Sequence, residues 1–386
     1  MTATHAIVDY VGCTCIVEAS EPPDLEWLIE FLQPDFSRRE NDDGRHKTYR
    51  IVMRRDAGLY GELLSRGPHP SGASMPCFAL DGRWESLPRW SADGGDPREL
   101  IVFDEAVGAF TRHVDAKGLV QIVAQPGRGS ARVALLRAVR ELTTKCSVGR
   151  GAALLHAAAL AWKGKGVVIA GPKGAGKTTL LLHLLSAGTG ARFLANDRVT
   201  IRMAADTLEV GGMPTIVHVR GASLDWLPHL EGRLRGSHDH HRLTLSEVDR
   251  RHTAYERVET MNGASDRASW SLSPAQLARL LGIARSPSVP LAAVVFPQQT
   301  GRDDGLSLER LSRGEAERCV SEAVFTSGGP PPTASLFGSP STYGAGSDVT
   351  RTLASTLPCF RCSLGTAAYA GPDAWARFAA LLMSDD

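Results

Sequence analysis

Residues 163–185 read KGKGVVIAGPKGAGKTTLLLHLL, and this stretch predicts the fold of the second half of the chain. Its middle, GPKGAGKT, fits the pattern G-x-x-x-x-G-K-[ST], with Gly171, Gly176, Lys177 and Thr178 at the defining positions. The β-rich run GVVIA precedes the glycines, and the apolar run LLLHLL follows them. A strand, a glycine loop and a helix in this order predict an α/β core whose loop holds a chain of phosphates.

The residue types of this loop each have a chemical reason. Glycines let the backbone turn tightly, so that successive N–H groups face the phosphates. Lys177 is expected to reach the β- and γ-phosphates, and Thr178 to place its hydroxyl on Mg²⁺. Lys173 either adds a second phosphate contact or is exposed. The predicted nucleotide-binding residues are Gly171, Lys173, Gly174, Ala175, Gly176, Lys177, Thr178 and Thr179.

Composition excludes several classes of partner. The 386 residues carry a formal net charge of +1 and only 6% aromatic residues, so we expect no nucleic acid partner. No 18-residue apolar run occurs, and the first residues lack the pattern of a signal peptide, so we expect no membrane partner. Seven cysteines without the spacing of a disulfide framework are typical of a reducing compartment, which favours a cytoplasmic location.

The chain divides by pattern into two domains. Residues 1–128 alternate β-rich runs with Gly, Pro and Asp clusters around one helix at 23–32, which indicates a small α+β domain. Residues 129–386 begin with an amphipathic helix over 131–145 and continue as the phosphate-loop core. Two polar segments, about 229–270 and 327–347, are predicted to be mobile, either as lids or substrate loops or as simple disorder.

Motifs that are absent from the sequence narrow the class of nucleotide-binding protein. Guanine-specific GTPases usually read the base with a lysine motif, and no lysine follows Lys177. The L-S-G-G-Q signature of transporter ATPases and the H-R-D motif of eukaryotic-type protein kinases are also absent. These absences favour ATP over GTP as the nucleotide.

The ordered features of the second half resemble those of the HPr kinase/phosphorylase-like family, relatives of phosphoenolpyruvate carboxykinase. They cover about two thirds of the chain: ARVALLRAVREL, GRGAALLHAAALAWKGKG, the glycine loop, ARFLANDRVTI, VGGMPTIVHVRG, LAAVVFPQ, LSRGEAERCV and the terminal LPCFRCSLGTAAYAGPDAWARFAALL. The resemblance implies an α/β fold. Its P-loop, HPr-kinase-like core would have a mixed, largely parallel sheet, preceded by the small α+β N-terminal domain of standalone bacterial members.

The resemblance also implies catalytic residues. In that family a histidine precedes the loop, near the γ-phosphate and the metal, and His156 stands fifteen residues before Gly171. An acidic pair follows the helix, and here the pair is Asn196-Asp197. Asn196 cannot take a proton. Asp197 therefore serves both as metal ligand and as general base, or another residue supplies the base, or the protein is a weak or inactive kinase.

Two further positions are compared with the family pattern. Arg220 matches the arginine of a Glu-x-Arg-Gly element, while His218 replaces its acid. Arg220 is expected to stabilise charge on the transferring phosphate, or it is an ordinary arginine at a strand end. The HDHH run at 238–241 is predicted mainly as a solvated loop, with substrate or metal contact as alternatives.

The expected function is transfer of the γ-phosphate of ATP, with Mg²⁺, to a hydroxyl. Because HPr kinase modifies a seryl residue, the resemblance favours a Ser or Thr of a peptide or small protein. A small-molecule kinase is the alternative among enzymes, and a nucleotide-responsive binding protein without turnover is the alternative from another class. Hexamers occur in HPr kinase, so a homo-oligomer is one expectation, and the sequence leaves the number of subunits open.

Overall fold

The structure is a computed structural model, and it describes most of the chain. The described residues are 4–40, 47–67, 74–78, 84–91, 99–105, 107–114, 118–219, 221–224, 227, 230, 232–234, 270–302, 305–324, 347–369, 375 and 378. Most of the segment at 229–270 and nearly all of that at 327–347 therefore lie outside the described residues. Within the described ranges, no helix has both the length and the apolar character needed to span a bilayer.

The chain forms two compact units. The first contains the described residues up to Arg150, and the second contains those from Gly151 onward. The helix that the sequence analysis placed at the start of the second domain thus belongs to the first unit.

The first unit is built on a nine-stranded mixed sheet of order β3-β1-β2-β4-β9-β8-β7-β6-β5. Its strands are β1 Thr4–Tyr10, β2 Cys13–Ala19, β3 Ser37–Arg39, β4 Lys47–Arg55, β5 Ser74–Phe78, β6 Trp84–Ser91, β7 Glu99–Asp104, β8 Ala109–Val114 and β9 Leu119–Ala124. Strand β4 is parallel to both β2 and β9, and the other described pairs are antiparallel. All the strand-rich runs of the sequence analysis contain strands.

Among the described residues, three α-helices accompany this sheet: α1 Pro22–Leu32, α2 Ala57–Arg66 and α3 Arg132–Gly149. Helix α3 is largely buried and packs against β2, β4 and β9. Two ion pairs hold elements of the unit together. The guanidinium of Arg55 donates to both carboxylate oxygens of Asp24, at 2.8 and 2.9 Å. The Nη1 of Arg137 on α3 donates to the Asp104 carboxylate at 2.7 Å.

The second unit also has a nine-stranded mixed sheet. Its strands are β10 Ala153–Leu155, β11 Ala157–Trp162, β12 Lys165–Ala170, β13 Arg192–Ala195, β14 Val199–Ala204, β15 Thr207–Gly212, β18 Val289–Gln299, β19 Leu306–Arg310 and β20 Cys359–Leu364, while β16 Val217–Val219 and β17 Trp270–Leu272 form a separate pair. The main order is β10-β14-β15-β18-β12-β11-β13, and β20 joins β18 and β19 off this path. The run LAAVVFPQ lies in β18, which is buried over residues 293–297.

The prediction of a largely parallel sheet is wrong. Strand β18 is parallel to β12 and to β20, and the other described pairs of this sheet are antiparallel. One cause is the turn at Lys163 and Gly164, where both residues have positive φ, 49° and 78°. A two-residue turn of this kind joins antiparallel strands only, because a parallel pair needs a long crossover. Strands β11 and β12 therefore form a β-hairpin.

Helices cover both faces of this sheet. They are α4 Lys177–Ser186, α5 Gly221–Leu224, α6 Pro274–Leu281, α7 Arg313–Ala323 and α8 Ser347–Thr356. Apolar side chains of α4 and α6 share one core with Val167 and Ile169 of β12, and those of α7 and α8 share the other with Val168 and Ala170. The strand that precedes the glycine loop is therefore buried on both faces, which fixes the position of the loop.

Replacing Gly166 by alanine is expected to destabilise the second unit. A Cβ at Gly166 would lie 2.2 Å from Cγ1 of Val210 and 3.2 Å from Cγ2 of Val289. Val210 is fully buried and β-branched, so the strands have to shift, at a cost of about 1–3 kcal/mol in the free energy of unfolding. Urea unfolding measures the change. Gly314→Ala is the control, since no atom lies within 4 Å of its Cβ position; equal stability of the two variants contradicts the prediction.

Candidate functional site

The glycine loop, residues 171–176, joins β12 to α4. Gly171, Gly174 and Gly176 have φ values of 146°, 90° and 96°, conformations that L side chains rarely adopt. Helix α4 begins at Lys177 directly after Gly176. The N-terminus of α4 thus follows the loop directly, in the order that the sequence motif predicts.

The two lysines of the loop occupy different positions. The Lys177 ammonium donates to the backbone oxygens of Gly171 and Pro172, at 2.7 and 3.1 Å, so it lies across the glycine loop. Lys173 is exposed, as are its neighbours Pro172 and Gly174. Of the two, Lys177 is thus placed for contact with a phosphate chain inside the loop.

Thr178 is linked to the residue that departs from the family pattern. Its hydroxyl donates to Oδ1 of Asn196 at 3.0 Å, and the backbone oxygen of Asn196 accepts a 2.6 Å hydrogen bond from the hydroxyl of Thr215. Asn196 is buried. A carboxamide oxygen accepts this hydrogen bond as a carboxylate oxygen would.

Two neighbouring stretches of strand are interrupted side by side, one at His156 and the other at residues 196–198. The sequence analysis did not predict these breaks. The run at 192–202 contains two strands, because β13 ends at Ala195 and β14 begins at Val199. The partner run breaks at His156, between β10 and β11. Leu155 lies opposite Val199 and Ala159 opposite Ala195, so the antiparallel ladder resumes on the far side of the gap.

The side chains at this gap form a charged cluster. Nε2 of His156 lies 3.2 Å from Oδ1 of Asp197, and Nε of Arg198 lies 3.9 Å from Oδ2 of Asp197. Asp197 has a φ of 75°, a region that aspartate tolerates better than most residues. The His156 amide is fixed by a 2.8 Å hydrogen bond to the backbone oxygen of Ala323. The side chains of His156 and Asp197 are partly exposed.

The metal predicted at Thr178 and Asp197 fits the donor set. Mg²⁺ in nucleotide sites uses one or two carboxylates together with substrate phosphates and water, rather than a full cage of protein ligands. Here the Thr178 hydroxyl is bonded to Asn196, and the Asp197 carboxylate follows at the next residue. In the part of the chain that the structure describes, no group of three or more His, Cys, Asp or Glu forms a metal site.

Thr179, the last predicted binding residue, connects the loop helix to a more distant segment. Its hydroxyl lies 3.0 Å from the hydroxyl of Ser223 on α5. Arg220, which precedes α5, lies outside the described residues, as does the 238–241 run. His218 is described: it lies on β16, opposite Ser271 of β17.

Sequence reasoning missed two residues beside the glycine loop. Gln299, at the end of β18, donates through Nε2 to the Tyr369 hydroxyl at 2.6 Å. A Cβ on Gly176 would lie 2.7 Å from that same Nε2, so the amide lies against the loop. The sequence offered one signal, the position of the run FPQQT at the carboxyl end of β18, because ligands of α/β sheets bind beyond the carboxyl ends of the strands.

Comparison with known proteins gives a distant relationship. No protein-family model matches the chain, and no curated protein is significantly similar to it. Among solved structures, the Hpr(Ser) kinase/phosphatase from Coxiella burnetii is similar to part of it, with 14% sequence identity and a TM-score of 0.22, over 41% of this chain and 72% of that chain. At these values, only the residues of this chain itself carry a functional proposal.

Proposed function

We propose that the second unit binds ATP with Mg²⁺ and transfers the γ-phosphate to a hydroxyl group. One observation carries the proposal: a continuous set of contacts joins the glycine loop to an acid–histidine pair. Lys177 lies across the loop, Thr178 is bonded to Asn196, and the neighbouring Asp197 contacts His156. Phosphoryl transfer requires positioning and charge stabilisation more than covalent chemistry, and this arrangement would supply both.

Each residue would have a defined role. The loop N–H groups and Lys177 would hold the β- and γ-phosphates, and the Thr178 hydroxyl and the Asp197 carboxylate would hold the metal. Bound Mg²⁺ would neutralise negative charge on the phosphates. The second oxygen of Asp197 would accept the proton of the acceptor hydroxyl, and His156 would hold that carboxylate in place. Arg220 is proposed to contact the transferred group.

The acceptor class rests on the resemblance of the residues to HPr kinases. It favours a Ser or Thr of a peptide or small protein, with a small hydroxyl compound as the alternative. A transfer assay with γ-labelled ATP and a panel of seryl and threonyl peptides and small alcohols tests both. Label recovered on any one of these acceptors defines the class, and its absence from all of them contradicts the kinase proposal.

A nucleotide-responsive binding protein is the second candidate, because Asn196 stands where the family has an acid. A protein of this kind would bind ATP in the glycine loop and leave it intact. The interaction of His156 with Asp197 favours the kinase, since a binding protein has no need of a partly exposed acid–histidine pair beside the loop.

We predict that the protein binds ATP, and that it is not specific for GTP. No lysine follows Lys177, so the lysine motif with which GTPases read guanine is absent. Calorimetric titration with ATP and GTP in the presence of Mg²⁺ measures the preference. Tight binding of GTP without binding of ATP would refute this prediction.

A further inference from the structure

The strand order places different residues on the two flanks of the glycine loop. On one side of β12 lie β11 and β13, and at their loop-side ends are His156 and Asp197. On the other side lie β18 and β20, both parallel to β12 in direction. Gln299 ends β18, and Tyr369 follows β20. The proposed catalytic pair and the Gln299–Tyr369 pair therefore flank the loop from opposite sides.

This geometry limits how a nucleotide can lie in the loop. In the proposed function, the γ-phosphate of a nucleotide held by the loop lies beside Asp197 and His156. The other end of the nucleotide must then leave on the opposite flank, across the ends of β18 and β20. Gln299 lies on that path, because its amide nitrogen would be 2.7 Å from a Cβ on Gly176.

Tyr369 is held by aromatic neighbours. Its ring centroid lies 4.7 Å from that of His183 on α4, and the His183 ring stacks on Trp375 at 5.1 Å with an interplanar angle of 22°. Burial raises the pKa of the Tyr369 phenol above its ordinary value, so the hydroxyl stays protonated at neutral pH. The hydroxyl accepts the hydrogen bond that the Gln299 amide donates.

We propose that Gln299 and Tyr369 bind the nucleoside part of the nucleotide. The inference rests on the proposed function and adds the location of the ribose and base. A carboxamide and a phenol offer both donors and acceptors to the hydroxyl and ring-nitrogen groups of a nucleoside. A phenol ring supported by His183 and Trp375 also offers an apolar surface to a base, as stacking sites do.

The test separates nucleoside contacts from phosphate contacts. Wild type, Gln299→Ala and Tyr369→Phe are titrated calorimetrically with Mg²⁺-ATP and with inorganic tripolyphosphate, which has the same phosphate chain and no nucleoside. We expect each variant to bind ATP about ten-fold more weakly, because a polar contact with the nucleoside is lost, and to bind tripolyphosphate as wild type does. Gln298→Ala is the matched control, since alternate residues of a strand face opposite sides.

The remaining outcomes overturn the inference. Equal weakening of both ligands would mean that Gln299 acts on the glycine loop itself. Unchanged ATP binding in both variants, an equal loss in Gln298→Ala, or equal affinity of wild type for the two ligands would mean that this flank holds no nucleoside. If wild type binds neither ligand, the proposed function fails, and the inference fails with it.

Discussion

Replacing Lys177 by alanine is expected to abolish phosphoryl transfer while the fold survives. The Lys177 ammonium lies across the glycine loop on the oxygens of Gly171 and Pro172, where it would meet the phosphates. Its loss removes a charge-assisted contact both in binding and in the transition state, so the rate should fall by about 100-fold or more. Transfer of labelled γ-phosphate measures the rate, and circular dichroism measures the fold.

The control for this variant is Lys165→Ala. Lys165 is exposed at the opposite end of the same strand, β12, so its removal changes the same net charge without touching the loop. We expect Lys165→Ala to transfer phosphate at the rate of wild type. Unchanged turnover in Lys177→Ala would show that the glycine loop is not the phosphate site.

The second large effect concerns Asp197. Asp197→Asn should stop transfer, because the amide keeps the shape of the carboxylate but loses the charge that holds Mg²⁺ and the ability to accept a proton. Asn196→Asp should be tolerated, because a carboxylate oxygen can still accept the hydrogen bond that Thr178 now donates to Asn196. We expect a loss of about 100-fold or more for Asp197→Asn. Single-turnover transfer with both variants measures the two rates.

Near-normal rates in Asp197→Asn would show that Asp197 is neither the base nor an essential metal ligand. His156, which lies 3.2 Å from Asp197, would then be the first candidate for the base. A His156→Gln variant decides between them, because it removes the proton acceptor and keeps a hydrogen-bonding side chain. In the proposed roles, His156→Gln should lower the rate less than Asp197→Asn does.

The loop and its helix could be predicted because they are local. Gly171 and Gly176 allow the tight turn of the loop, and Lys177 places a positive charge at its end. Helix α4 begins at Lys177, as the motif requires. Asp197 and His156 were predicted as site residues from the family resemblance, and the structure brings their side chains into contact. Their catalytic roles stay a prediction.

Strand direction and the breaks in the strands were not predictable in the same way. The turn at Lys163 and Gly164 was a local signal for an antiparallel hairpin, and the sequence analysis did not use it. The gap at His156 and the gap at 196–198 depend on each other across two neighbouring strands, with Leu155 opposite Val199. Such a break depends on how the two strands pair with each other. The sequence of either strand by itself does not reveal it.

Gln299 was missed because its role depends on long-range pairing. It lies more than one hundred residues after Gly176, and it reaches the glycine loop only because β18 pairs in parallel with β12. The partner of Gln299, Tyr369, is brought near by the next parallel pair, β18 with β20. A glutamine at the end of an apolar run has no distinguishing local pattern.

The most direct test of the proposed kinase is transfer of label from γ-labelled ATP by wild type and Lys177→Ala, with Mg²⁺ and the panel of seryl and threonyl peptides and small alcohols. We predict that wild type transfers the label to at least one hydroxyl acceptor and that Lys177→Ala transfers none. A wild-type protein that binds ATP tightly yet leaves the γ-phosphate in place with every acceptor would contradict the proposal and favour a nucleotide-binding protein without turnover.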